Sequence, residues 1–119
     1  MAYVEISVIP VKKDRLEDYR KMAKKVAKLF KACGAISYVE AVEDDVKPGK
    51  VTSFPQSVKL KSDECVSVAV SIFKNRKTRD AAWKKMMKDP LFANMDMKNA
   101  PFDMKRMYFG GFKSIAESA

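Results

Sequence analysis

The sequence contains no histidine, and this absence removes several common kinds of site. Histidine is the most frequent general base, a usual ligand of zinc and the usual proximal ligand of haem. A Ser-His-Asp triad therefore cannot be built from this chain. A glycine-rich phosphate loop is also missing. Any chemistry must rest on Tyr, Glu, Asp, Arg or Trp side chains, and we expect neither a metal nor a cofactor.

Cysteine is scarce, and the two that occur, Cys33 and Cys65, match no metal-binding or CxxC spacing. We expect them to be small buried thiols in a reducing compartment, which favours a cytoplasmic protein. Long apolar runs are missing too, since none approaches the roughly 20 residues that span a bilayer. The first ten residues resemble a strand more than a signal peptide, so no membrane partner is expected.

The 119 residues suffice for one core, and we expect a single domain over residues 1–119. The formal net charge is +9, carried mostly by lysine, so nucleic acid must be considered as a partner. However, only five basic residues are arginine, and the strands lack an aromatic RNA-binding pattern. Specific nucleic-acid binding is not expected, and the lysines are typical of a solvated surface.

Hydrophobic periodicity predicts four strands and two long helices. Alternation predicts strands over residues 3–9, 36–43, 65–73 and 106–115, with Pro10 ending the first. An apolar stripe at steps of three and four predicts a helix of about 20 residues, capped by Asp14 and stopped by Gly34. Asn75 can cap a second helix, which Asp89-Pro90 ends or bends. The order β-α-β-β-α-β predicts an α+β, ferredoxin-like sandwich with both helices on one sheet face.

The uncovered sheet face should need a partner. We expect the β-branched face with Val4, Ile6 and Val8 to point into the core under the helices. The opposite face would then be uncovered, and it carries almost no lysine; it comprises Tyr3, Glu5, Ser7, Ile9, Tyr38, Glu40, Ser67, Ala69 and Ser71. The simplest way to bury such a face is against a second copy, as a symmetric homodimer.

Two further segments have unusual features. The connection over residues 50–63 is long for a small domain, which predicts a short strand or an arm there. Gly110 and Gly111 fall inside the last strand, which indicates a bulge or a close approach of another group to the backbone.

Several short motifs together resemble the YbaA-like family of bacterial domains of unknown function. They span nearly the whole chain: Gly34-Ala35-Ile36 through Asp44-Asp45-Val46, Val51-Thr52-Ser53-Phe54, Asp63-Glu64, Arg79-Asp80, Pro101-Phe102-Asp103, Lys105-Arg106-Met107 and Gly110-Gly111-Phe112. This family resembles a branch of the dimeric α/β-barrel superfamily, which implies two ferredoxin-like sheets packed into a barrel. That superfamily includes cofactor-free oxygenases, haem-handling enzymes that use a histidine ligand, and small-molecule binders.

Three functions fit these observations. The first is a homodimeric α/β-barrel protein that binds a small apolar or aromatic ligand, with a cofactor-independent oxygenase-like enzyme as its catalytic alternative. The second is a non-catalytic interaction dimer, and the third is a basic nucleic-acid binder. By analogy with the superfamily, the candidate ligand-pocket residues are Tyr38, Glu40, Phe54, Trp83, Arg106 and Tyr108.

Several of these candidates have alternative interpretations. Glu40 and Arg106 are charges inside predicted strands, so they could form a structural ion pair, or they could be a base and an anion-holding group. Trp83, with Met86 and Met87, could line an apolar pocket or belong to the core. The acidic run Glu43-Asp44-Asp45 could bind calcium or magnesium, but it is more typical of a solvated turn.

Overall fold

The computed structural model describes residues 2–118. Its elements are β1 (Tyr3–Lys12), a 3₁₀ turn (Lys13–Arg15), α1 (Leu16–Cys33), β2 (Ser37–Val42), α2 (Phe54–Ser57), β3 (Glu64–Phe73), α3 (Arg76–Met86), α4 (Pro90–Ala93) and β4 (Tyr108–Lys113). The four strands form one sheet in the order β2-β3-β1-β4, and every neighbouring pair is antiparallel. The predicted α+β, ferredoxin-like arrangement is confirmed. No helix within residues 2–118 is long and apolar enough to cross a membrane.

The helix ends follow local sequence signals, with one exception. Gly34 adopts a φ of +127°, which glycine tolerates readily, and its N–H donates to the carbonyls at the end of α1. Asn75 caps α3, since its Oδ1 accepts a hydrogen bond of 2.8 Å from the backbone N of Thr78. The predicted cap by Asp14 is wrong, because α1 begins after the 3₁₀ turn and no side chain caps it.

The two faces of the sheet are reversed relative to the sequence prediction. α1 and α3 cover the helix face, which comprises Tyr3, Glu5, Ser7, Ile9, Tyr38, Glu40, Ser67, Ala69 and Ser71. The error has a physical cause. The helices contribute large aromatic side chains, among them Phe30 and Trp83, and these need small residues beneath them. Serine and alanine on β3 leave that room, whereas a β-branched face would not.

The opposite, open face of the sheet is strongly apolar. It comprises Val4, Ile6, Val8, Val39, Ala41, Val66, Val68, Val70, Ile72, Tyr108 and Phe112. One end is covered by the long connection, because Val58 and Leu60 pack on Val8 and Val66. The other end is uncovered, and Val39 and Phe112 there are 60% and 55% exposed.

The long connection contains no strand. Its regular part is the short helix α2, which begins after Ser53, whose Oγ accepts a hydrogen bond from the backbone N of Gln56. Serine at this position with proline inside the first turn is a strong signal for starting a helix. Of the two predicted alternatives, a short strand or an arm, the strand is therefore wrong.

Two predictions about β1 and β4 have different outcomes. Pro10 does not end β1, which continues to Lys12. The nitrogen of Pro10 faces the edge of β1 that pairs with β4, but that pairing extends only to Val8. The missing N–H of Pro10 therefore removes no hydrogen bond between the strands. The close approach at the glycines is confirmed at Gly111, where an added Cβ would overlap the hydroxyl oxygen of Tyr3.

Arg106 ties the long connection to the sheet. Its guanidinium forms hydrogen bonds of 2.7 Å to Oε1 of Glu64 and 2.7 Å to Oδ2 of Asp103. It also donates to the backbone carbonyls of Val58 and Lys59. The proposed pairing of Arg106 with Glu40 is wrong, because these contacts occupy the guanidinium. Arg106, Glu64 and Asp103, here called the Arg106 cluster, form a structural network in which Glu64 is buried and the other two are partly buried.

We predict that Arg106→Ala destabilises the protein by about 3–5 kcal/mol, because Glu64, only 4% exposed, would keep a buried charge without its partner. The matched control is Arg76→Ala, which removes an exposed helical ion pair with Asp80 and should cost about 0.5 kcal/mol or less. Urea unfolding of both variants measures the difference. Equal losses would contradict the structural role of the Arg106 cluster.

The same variant should change the acid dependence of stability. The Arg106 guanidinium holds the pKa of Glu64 below its ordinary value of 4.5. A carboxyl whose pKa is lowered by folding contributes stability above about pH 4.5, and loses it as the pH falls through the folded-state pKa. The free energy of unfolding of the wild type should therefore fall more steeply below about pH 4.5 than that of Arg106→Ala.

Candidate functional site

A cavity of about 100 Å³ lies between the helix face of the sheet and the helices. Its walls are mainly aromatic and methionine side chains: Tyr19, Phe30, Tyr38, Trp83, Phe92, Met22, Met95 and Met107. Its polar groups come from the sheet, as the carboxylates of Glu5 and Glu40 and the hydroxyls of Ser7 and Ser71. An apolar space with a few converging polar groups is typical of small-molecule sites.

The aromatic wall is a connected set of rings. Phe30 of α1 lies 4.5 Å from Tyr38 of β2 and 5.5 Å from Trp83 of α3, between ring centroids. The Trp83 and Phe92 centroids are 5.8 Å apart, which joins the segment after α3 to the same wall. Tilted and edge-on ring pairs at these distances are favourable. The wall is therefore held by contacts among four different parts of the chain.

Glu5 is a buried carboxylate whose charge is compensated. Its side chain accepts a hydrogen bond of 2.8 Å from Nη1 of Arg79 and one of 2.7 Å from Nε1 of Trp83. The Arg79 guanidinium also pairs with Asp80 and lies 4.9 Å from the centroid of the Tyr3 ring. Because a buried charge needs a partner and hydrogen bonds, these donors explain how Glu5 can be only 4% exposed.

Glu40 differs from Glu5, because no ion pair within residues 2–118 includes it. Its Oε1 accepts a hydrogen bond of 2.6 Å from the hydroxyl of Tyr38. Burial and the Glu40 charge raise the pKa of both Tyr38 and Tyr19 far above the usual value. Both phenols therefore remain protonated at neutral pH, and Glu40 contributes a negative charge without a cation beside it.

A second hollow of about 190 Å³ adjoins the cavity on the side of the α1 N-terminus. Glu40 and Tyr19 line both spaces, so they lie between them. Arg20 also lines this second hollow, but its guanidinium pairs with Glu17 on the same helix. Glu40 is thus accessible from both the cavity and the second hollow, which lie on either side of Tyr19.

Three of the six predicted pocket residues, Tyr38, Glu40 and Trp83, line the cavity together. The other three lie elsewhere. Phe54 and Tyr108 line a shallow hollow beside the open face, where the Tyr108 hydroxyl donates to Oγ of Ser57 over 2.8 Å. Arg106 belongs to the cluster that holds the long connection.

Sequence reasoning missed Glu5, Tyr19, Phe30 and Phe92 as cavity residues. Glu5 carried the clearest signal, since it is an acidic residue in a strand with few other charges. Tyr19 and Phe30 belong to the apolar stripe that predicts α1, and both are buried. Of the methionines beside Trp83, Met86 lies in the core, whereas Met87 is 59% exposed.

The remaining candidates for reactive or metal-binding groups are plain structural features. Cys33 and Cys65 are both free, and burial raises the pKa of the Cys65 thiol. Asp44 and Asp45 are exposed, and Glu43 accepts a hydrogen bond from the backbone N of Val66. Within residues 2–118, no group of three acidic or cysteine side chains is arranged to hold a metal.

Known proteins share this fold at low sequence identity. SnoaB from Streptomyces nogalater, a cofactor-independent oxygenase solved in a mutant form, superposes with a TM-score of 0.61. It is 14% identical and is matched over 98% of this chain and 95% of its own. A dimeric ferredoxin-like protein from an uncultured marine organism has a TM-score of 0.62 at 11% identity, with 100% and 99% of the chains covered.

Closer relatives are found by sequence. YbaA from Escherichia coli strain K12, described as an uncharacterized protein, is 43% identical over 117 residues, which cover 98% of this chain and 99% of YbaA. YbaA from Shigella flexneri matches equally well. The family model described as a protein of unknown function (DUF1428) matches residues 2–104. The chain therefore belongs to the DUF1428 family.

Proposed function

We propose that this protein is a homodimer that binds a compact, largely apolar aromatic molecule in the cavity between its sheet and helices. The observation that carries the proposal is the aromatic cavity itself, with the hydroxyl of Tyr38 and the carboxylate of Glu40 converging on it. The Glu40 carboxylate is partly exposed and lies next to this space, so it is available to a polar group of a ligand.

The size of the cavity limits the ligand. A dry apolar cavity of about 150 Å³ can hold benzene, so about 100 Å³ suits one small ring if the walls adjust slightly. The flexible methionines Met22, Met95 and Met107 could provide that adjustment. The adjoining hollow beyond Tyr19 and Glu40 could receive a short substituent.

The homodimer is supported by the open face. A monomer seldom exposes a contiguous apolar sheet of this kind, and packing two sheets face to face is a common way to bury one. Two relatives in fold are described as dimeric ferredoxin-like proteins. The open face lies on the far side of the sheet from the cavity, so pairing would leave the ligand site accessible.

Charges on the open face should abolish dimer formation. Val39→Lys combined with Phe112→Lys puts two like charges per subunit on residues that are already more than half exposed, so folding should survive. Sedimentation velocity at about 10 µM should give twice the chain mass of 13.5 kDa for the wild type, and the chain mass for the double variant. Ala32→Lys, on the outer surface of α1, is the matched control and should stay dimeric. A wild type that sediments as a monomer contradicts the homodimer.

Ligand binding can be followed through Trp83, because it is the one tryptophan of the chain and gives a single indole N–H signal in NMR. Benzyl alcohol at millimolar concentration should shift that signal in a saturable way. Ala69→Val, which fills the cavity floor, should weaken the shift, whereas Ala32→Val on the outside of α1 should not. No saturable shift, with the dimer intact, would instead favour a non-catalytic interaction dimer.

Oxygenation without a cofactor is a second candidate. In that role Glu40, hydrogen-bonded to Tyr38, would accept a hydrogen bond from the hydroxyl of a phenolic substrate and so orient it. Molecular oxygen would then replace two hydrogens on a substrate carbon by a carbonyl oxygen, and its second atom would leave with those hydrogens as water. The cofactor-independent oxygenase SnoaB has the same fold. Oxygen consumption that requires both a phenolic substrate and Glu40 would distinguish this activity from binding alone.

A further inference from the structure

We propose that the ligand is a small organic cation, an amine carried on a compact apolar or aromatic group, whose ammonium contacts Glu40. This inference rests on the proposed ligand-binding function and names the class of molecule that the cavity selects. It follows from the charges of the cavity wall, from its aromatic surfaces and from the way in which Glu5 is satisfied.

The cavity wall is negatively charged although the whole chain is strongly basic. Two carboxylates, Glu5 and Glu40, line the cavity, and no lysine or arginine is among its lining residues. Arg79 lies behind Glu5 and compensates its charge from outside the cavity. One uncompensated negative charge therefore faces the cavity in a protein of net charge +9. Such a wall repels anions and favours a cation.

The aromatic wall suits a cation as well as a ring. Tyr19, Phe30, Tyr38 and Trp83 all line the space around Glu40, and the negative faces of such rings attract ammonium groups. Aromatic cages recognise quaternary ammonium ligands in proteins, and a carboxylate beside the rings adds a charge-assisted hydrogen bond for an amine. An uncharged aromatic ligand would use the rings but would leave the Glu40 charge without a partner.

The two tyrosines do not weaken this charge. Burial and the Glu40 carboxylate raise the pKa of Tyr38 and of Tyr19, so neither phenol is ionised at neutral pH. Tyr38 donates one hydrogen bond to Glu40, which orients the carboxylate but leaves its charge in place. Glu5 also lines the cavity, and its charge is compensated by Arg79. Arg20 lines the second hollow, where it pairs with Glu17.

The test compares three probes of nearly equal size: benzylamine, benzyl alcohol and benzoate. Each is titrated at about pH 7 while the Trp83 indole signal is followed. Benzylamine should bind at least about tenfold more tightly than benzyl alcohol, since a charge-assisted hydrogen bond adds about that factor or more. Benzoate should produce no saturable shift. In Glu40→Gln, the affinity for benzylamine should fall to within about threefold of that for benzyl alcohol, whereas Asp18→Asn, on the exposed surface of α1, should leave it unchanged.

The outcomes separate this inference from the proposed function. Benzyl alcohol binding as tightly as benzylamine in the wild type overturns the inference and leaves the ligand-binding function standing. Preference for benzylamine that persists in Glu40→Gln overturns the role of Glu40. If none of the three probes shifts the signal, the proposed function fails as well. Even if Glu40→Gln does not fold, the comparison of the three probes on the wild type still tests the preference for a cation.

Discussion

The structure depends on the compensation of one buried charge, the carboxylate of Glu5. This residue lies on β1, a central strand of the sheet, and α3 reaches down to it with both Arg79 and Trp83. The contact fixes α3 over the sheet and holds the Trp83 ring against Phe30 of α1. Without the hydrogen bonds from Arg79 and Trp83, packing the helices on the sheet would bury the Glu5 carboxylate unpaired in an apolar environment. The aromatic wall of the cavity is thus a consequence of how Glu5 is satisfied.

The two faces of the sheet carry different kinds of side chain. Its helix face carries small and polar residues, which leave room for large helix side chains and for a cavity. Its open face carries branched aliphatic residues, which suit packing against another flat sheet. The long connection covers one end of the open face through Val58 and Leu60, and the Arg106 cluster holds this segment in place. The proposed ligand site and the proposed dimer interface therefore lie on opposite faces of the sheet.

Much of the fold could be predicted from periodicity and from caps, because these signals are local. The alternation in β3 and the caps at Gly34 and Asn75 depend on neighbouring residues only. The choice of sheet face could not be predicted in this way, because both faces are largely apolar or uncharged. Which face the helices cover depends on whether Phe30 and Trp83 fit above Ser71 or above Val70, and that is a question of packing volume across the chain.

The site was predictable to the extent that it lies on regular elements. Alternation correctly places Tyr38 and Glu40 on one face of β2, but the prediction left that face uncovered, and the two residues meet Trp83 because the helices cover it. Arg106 could not be assigned, since its partner Glu64 lies 42 residues away at the start of β3. Phe54 and Tyr108, which were chosen by analogy with the superfamily, lie near each other on the open side of the sheet, away from the cavity.

The two carboxylates of the cavity have different proposed roles: Glu5 stabilises the fold, and Glu40 contacts the ligand. The most direct measurement compares the free energies of unfolding of Glu5→Gln and Glu40→Gln at equal protein concentration. Glu5→Gln should lose about 2 kcal/mol or more, because Arg79 and Trp83 would face an amide that cannot accept from both as the carboxylate does. Glu40→Gln should stay within about 0.5 kcal/mol of the wild type or exceed it, because Tyr38 keeps an acceptor and no ion pair is lost. Equal losses in the two variants would contradict this division of roles.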